Sequence, residues 1–137
     1  KKTAFIPKDN LVKKEDEINN WVSVAEKLVD TPYKWGGRSS LGLDCSALLQ
    51  LSYQTYGEQI PRNTIDQIKL NKKEIKNFEN LSRGFVIFWK GHVGIMTDKL
   101  NCVHANGHYM KTTIEPLTKI IKRMKKKYKI LKIMDFN

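Results

Sequence analysis

Nowhere in the 137 residues is there an uninterrupted apolar run of the roughly 18 residues that a membrane-spanning helix needs. The sequence therefore predicts no membrane span. Lys1-Lys2 do not open a charged, apolar, small-residue leader. The chain starts without Met, at KKTAFIPKDN, and the expectation is a piece of something longer. Cysteine is scarce: two residues, Cys45 and Cys102, do not make a disulfide framework, and no C-x-x-C pair exists to build a zinc site. Two such thiols fit a reducing compartment better than an oxidising one, so a cytoplasmic setting is favoured over a periplasmic or secreted one. Internal repeats are absent, and the length supports one domain with one sizeable core. Acidic residues are in the minority, 14 against 25 Lys+Arg, for a net charge of +11. That balance invites a polyanion, yet the excess is mostly Lys, concentrated in KRMKKKYK (122–129), where Tyr128 is the one aromatic. It reads as a solvated surface, and no specific nucleic-acid partner is expected.

What is present changes character along the chain. Residues 1–15 read as a linker or the remnant of an upstream domain, and 16–137 as the functional domain. Ile18, Trp21, Val22, Ala25, Leu28 and Val29 recur at helical spacing and stop at Asp30-Thr31-Pro32. The glycine-rich stretch PYKWGGRSSLG (32–42) predicts a loop, and its Tyr33 and Trp35 predict that the loop lines something. Asp44 caps a helix whose apolar face is Cys45, Leu48, Leu49, Tyr53 and Tyr56, ended by Gly57. A shorter helix is expected between Pro61 and Leu70, with Ile65 and Ile68 inward. The period then becomes that of strands: 85–89, 92–97 and 100–105, with Asn106-Gly107 as a hairpin turn into 108–114. A last helix over 115–122 and a closing strand over 128–134 complete an α+β arrangement, helices first and antiparallel sheet after.

The chemistry rests on one thiol and two imidazoles. Cys45 in the first turn of a helix lies at the positive end of the macrodipole, which favours a thiolate. His92 and His104 fall on adjacent strands about 4.8 Å apart, close enough to stand in line. A nucleophile needs a base, and the base needs a third group to fix its tautomer. Cys45, His92 and His104 fill those roles in that order. The spacing Cys102-x-His104-x-x-x-His108 offers only a poor metal site, so no metal and no cofactor is expected.

These stretches, PYKWGGRSSLGLDCSALLQ, IPRNT, GFVIFWKGHVGIM and NCVHANG, resemble in order the NlpC-type cell-wall cysteine peptidases over about residues 17 to 135. Tyr33 precedes Cys45 by twelve residues and His104 follows His92 by twelve, as in that family. The resemblance implies a papain-like fold with Cys45 at the start of a central helix. It also implies Cys45 as nucleophile, His92 as general base and acid, His104 as its orienting partner and Tyr33 on the oxyanion side. Asp44 and Ser46 would hold the D-glutamyl part of a peptidoglycan peptide, with Trp35 and Arg38 at the cleft wall. WGGRSS with DCS and HAN-x-H-x-M is most similar to the branch that cleaves γ-D-glutamyl-L-diamino acid bonds. Members of that branch carry Src-homology-3-like domains upstream, and Ala4 to Val12 resembles the exit of one. Gly84-Phe85 stands where the family commonly has Gly-Asp, and Ala47 replaces a usual glycine. The alternatives are a non-catalytic module that grips cell-wall peptide, or a thiol amidase or acyltransferase on the same fold.

Overall fold

The computed structural model describes residues 3–5, 20–124 and 129–137. Most of the expected linker, the expected helix start at Ile18, the centre of the basic run and Tyr128 lie outside these residues. The elements in order are α1 (Trp21–Lys27), β1 (Arg38–Ser39), β2 (Gly42–Leu43), α2 (Cys45–Gln54), α3 (Thr64–Gln67) and β3 (Lys73–Glu74). They continue with β4 (Phe85–Trp89), β5 (His92–Met96), β6 (Asn101–Asn106), β7 (Lys111–Pro116), α4 (Leu117–Met124) and β8 (Ile130–Asp135). None of the described helices is long and apolar enough to cross a membrane.

Six strands form one sheet in the order β3-β8-β4-β5-β6-β7, and each neighbouring pair is antiparallel. The strand β4 explains why the sheet sits at the centre. All five of its residues are buried, because its alternating side chains enter two separate cores. Val86 and Phe88 pack with Trp21, Leu48, Leu49 and Tyr53 of α1 and α2. Phe85, Ile87 and Trp89 face the other way, toward Leu117 and Ile120 of α4. Each large side chain so buried contributes about 1.5–3 kcal/mol relative to exposure. The N-terminal helices thus cover one face, as expected, and α4 covers the other.

Three local expectations need correction. The single-turn α3 leaves Ile65 68% exposed, whereas Gln67 is fully buried. Gln67 wins that position because its amide donates to the carbonyls of Ser46 and Pro61, tying α3 to the start of α2. The turn after β6 is Gly107–Met110 rather than a two-residue Asn106-Gly107 hairpin, and β7 begins at Lys111. Asn106 stays in β6, buried, and its side-chain carbonyl accepts the Tyr109 N–H at 2.9 Å. Glu115, expected in the last helix, belongs to β7 and is buried.

Candidate active site

The glycine-rich loop is folded around one carboxylate. Asp44 is the N-cap of α2, and its Oδ1 accepts the Ala47 N–H at 2.9 Å and the Ser46 hydroxyl at 3.0 Å. Its Oδ2 accepts the Gly36 N–H at 2.9 Å, a close approach that Gly36 makes in the left-handed region, φ +74°. Arg62 then docks on both oxygens at 2.8 Å, and also reaches the Ser46 hydroxyl at 2.8 Å and the Gly37 carbonyl at 3.2 Å. Burial pushes the Asp44 carboxyl up, and the bonds from Arg62, Ala47 and Ser46 outweigh it, leaving the group below the usual carboxylate range. Asp44 is thus saturated by the protein's own donors. It organises the loop, the helix start and Arg62 as one unit.

Cys45 follows as the first residue of α2, 7% exposed. The first intrahelical bond runs from Leu48 N–H to Asp44 O, so the Cys45 and Ser46 N–H groups precede the helical ladder. The thiol lies against the backbone N–H of Val93, the second residue of β5. Burial pushes it up to about 11, more than that N–H lowers it, and the Asp44 charge adds to the rise. The thiolate expected from the helix start is therefore outweighed by burial in the resting protein.

His92, the first residue of β5, is half-buried between the rings of Trp89 and His104, at 5.7 and 5.1 Å between centroids. Its Nε2 is 2.8 Å from His104 Nδ1. Burial holds His92 down at about 3, and the neighbouring His104 and Arg123 act in the same direction. His104, 1% exposed in β6, has its own Nε2 2.8 Å from Glu115 Oε1. Burial lowers His104, partly offset by the Glu115 carboxylate. Two cavities meet at this point. One, of about 480 Å³, is lined by Asp44, Cys45, Ser46, Arg62, Asn63 and Thr64. The other, of about 740 Å³, is lined by Tyr33, Lys90, His92, His104, His108 and Arg123. Trp35, 82% exposed, and Gly91 line both.

The structure thus brings together Cys45, His92, His104, Tyr33, Asp44, Ser46 and Trp35 along one cleft. Arg38 is not among the lining residues; it is exposed and donates to Gln54 of α2 at 2.9 Å. Arg62 holds the place in the cleft wall that was expected of Arg38, and the IPRNT stretch was the signal for it. Tyr33 is fixed by its N–H to the Met110 carbonyl at 2.9 Å, and burial first, then the Cys45 and Asp44 charges, raise its phenol. Glu115 and Arg123 have no pattern in the sequence that marks them, since both depend on how β6, β7 and α4 come together.

The model of the NlpC/P60 family matches residues 30–131 of this chain. A dipeptidyl-peptidase 6 from Lysinibacillus sphaericus is 36% identical over 87 residues, 64% of this chain and 32% of that protein. A γ-D-glutamyl-L-lysine dipeptidyl-peptidase from Bacillus subtilis is 30% identical over 80 residues, 52% of this chain and 27% of its own. The chain thus spans about a third of the length of these curated relatives. Among solved structures, NlpC2 from Trichomonas vaginalis superposes with a TM-score of 0.75 at 16% identity, over 90% of this chain and 50% of that one. That likeness shows the fold: helices packed on a six-stranded antiparallel sheet, papain-like, with Cys45 opening α2.

Proposed function

The chain belongs to the NlpC/P60 family, and from that premise we propose that it is a cysteine endopeptidase that hydrolyses peptidoglycan stem peptides at the γ-D-glutamyl to diamino acid bond. One observation carries the reading. The His92–His104 contact at 2.8 Å lies on the strand whose next residue, Val93, touches the Cys45 thiol. Cys45 attacks the γ-carbonyl while its proton passes to His92, and the tetrahedral oxyanion is held by the Cys45 N–H with Tyr33 beside it. His92 returns the proton to the leaving amine, leaving a thioester. A water deprotonated by His92 then releases the acyl group and regenerates the thiol.

The two cavities fit the two halves of such a substrate. Cys45 lines the smaller one, where the acyl part would lie against Ser46 and Arg62. His92 lines the larger one, into which the amine it protonates would depart. The γ-D-glutamyl assignment is supported by the WGGRSS, DCS and HAN-x-H-x-M stretches and by the activity named for the Bacillus relative.

The test is incubation with L-Ala-γ-D-Glu-diaminopimelate and its N-acetylmuramyl form, with products followed by mass. Cleavage at the γ-D-glutamyl bond that vanishes in Cys45→Ala supports the proposal. Tight binding without cleavage would instead make the chain a cell-wall-peptide binding module, and cleavage retained in Cys45→Ala would remove the nucleophile. The substitution removes a buried sulfur and costs about 1 kcal/mol, so the variant should unfold in urea near the wild-type midpoint.

A further inference from the structure

We propose that Glu115 is the positioning residue that sets the tautomers of both site histidines, through His104 to His92, and so aims an unprotonated nitrogen of His92 at Cys45. The proposal rests on the peptidase reading for its kinetic consequence but not for its geometry. Glu115 is 6% exposed in β7, at the far end of a row of contacts: Glu115 Oε1 to His104 Nε2 at 2.8 Å, and His104 Nδ1 to His92 Nε2 at 2.8 Å.

The direction of the row follows from the chemistry of its end. An ionised carboxylate only accepts hydrogen bonds, so a contact of 2.8 Å requires a proton on His104 Nε2. Neutral His104 then has a bare Nδ1, which only accepts. His92 must donate to it from Nε2, and the remaining nitrogen of His92, Nδ1, is left with its lone pair for the thiol proton. The opposite tautomer would set a lone pair of His104 against the carboxylate. A competing contact exists, Asn106 Nδ2 to His104 Nε2 at 3.3 Å, but the two N–H groups of that amide have the Thr113 hydroxyl at 2.9 Å and the His104 and Lys111 carbonyls at 3.3 Å as acceptors.

Glu115 can do this only if it stays ionised while buried. Arg123 of α4 secures that: Nη1 donates to Oε2 at 3.1 Å and Nη2 to Oε1. Burial raises the carboxyl, and the bonds from Arg123 and His104 more than reverse it. Tyr109 holds the guanidinium from outside, its ring centroid 5.5 Å from the Arg123 carbon. No proton travels to Glu115 in the reaction. When Cys45 gives up its proton, His92 becomes the imidazolium, His104 stays neutral and Glu115 stays anionic.

The chain has three histidines, so nitrogen-15 spectra of the imidazoles can be read individually. At neutral pH the wild-type protein should show His92 and His104 both as Nε2–H tautomers, and His104 found as Nδ1–H overturns the proposal whether or not the chain cleaves peptide. In kinetics with the diaminopimelate peptide, Glu115→Gln should lower kcat about 10- to 100-fold, the range seen for the carboxylate partners of metal-bound histidines, with KM within about twofold. Its acidic limb should move to lower pH, because a lost neighbouring anion disfavours the imidazolium. Glu115→Asp should recover part of the rate. An unchanged kcat in folded Glu115→Gln overturns the proposal. A wild-type chain that fails to cleave overturns the peptidase reading alone, since the tautomers are read without turnover.

Discussion

At the scale of single residues, burial sets the resting protonation of the site. His92 is held near 3 against an ordinary 6.5, and Cys45 near 11 against an ordinary 9.0. Both shifts favour neutral forms, so in the proposed mechanism proton transfer between thiol and imidazole belongs to the reaction step rather than to the resting state. They also make stability depend on pH, with a sign that can be worked out. Between about 3 and 6.5 the unfolded chain binds a proton at His92 that the folded one refuses, so stability is complete above 6.5 and falls as pH drops through that window. Asp44 and Glu115, both lowered, add to the same loss as pH falls below the ordinary carboxylate range. On the alkaline side the folded protein keeps the Cys45 proton, and stability falls as pH rises from 9.0 toward 11. Urea midpoints measured from pH 4 to 10 should therefore form a plateau between about 6.5 and 9. In His92→Gln the acid limb should flatten, and an acid limb identical to wild type would mean that His92 is not held neutral by the fold.

At the scale of elements, the site depends on how closely β5 and β6 approach. Their ladder pairs Ile95 with Val103 and Met96 with Cys102, next to the two histidines. Gly94 makes that approach possible. A Cβ there would stand 2.5 Å from Cys102 Sγ and 3.5 Å from His104 Cβ. Gly94→Ala should destabilise the fold by about 1–3 kcal/mol, the usual cost of forcing extra volume into a packed core. Because the sulfur is the closest obstacle, Gly94→Ala/Cys102→Ala should recover most of the loss in thermal unfolding. If the double variant is no more stable than Gly94→Ala alone, the obstruction lies in the backbone. GHVGI thus carries meaning beyond its histidine. The strands were legible because their apolar runs are short, β-branched or aromatic, and separated by turn residues. In the one-turn α3 the spacing points to Ile65 rather than Gln67 as an inward residue only because a helix of four residues has too few positions for periodicity to mark its inner face. Glu115 reads as helical for a related reason: an acidic residue beside Pro116 looks like a helix start, and only the pairing of β6 with β7, Cys102 opposite Glu115, places it in a strand.

At the scale of the whole molecule, the net charge of +11 is distributed unevenly with respect to the cleft. The smaller cavity contains the matched pair Asp44–Arg62, so its formal charges cancel. Among the described residues, the larger cavity, where the leaving group would sit, is lined by Lys90, His108 and Arg123 and by no carboxylate. Glu115 lies behind Arg123 and neutralises it, which among the described lining residues leaves the exposed Lys90 as the uncompensated charge, with His108 as a further donor. That lining suits a diamino acid bearing an additional carboxylate, diaminopimelate, better than lysine. Lys90 is exposed, so its effect is screened by water and salt and should be modest. At low ionic strength kcat/KM for the γ-D-Glu-diaminopimelate peptide should exceed that for the γ-D-Glu-lysine peptide several-fold. The ratio should shrink in 0.5 M salt, where the screening length is only a few Å, and again in Lys90→Gln. A preference for lysine, or a ratio that ignores both salt and Lys90, would mean that contacts other than charge select the leaving residue.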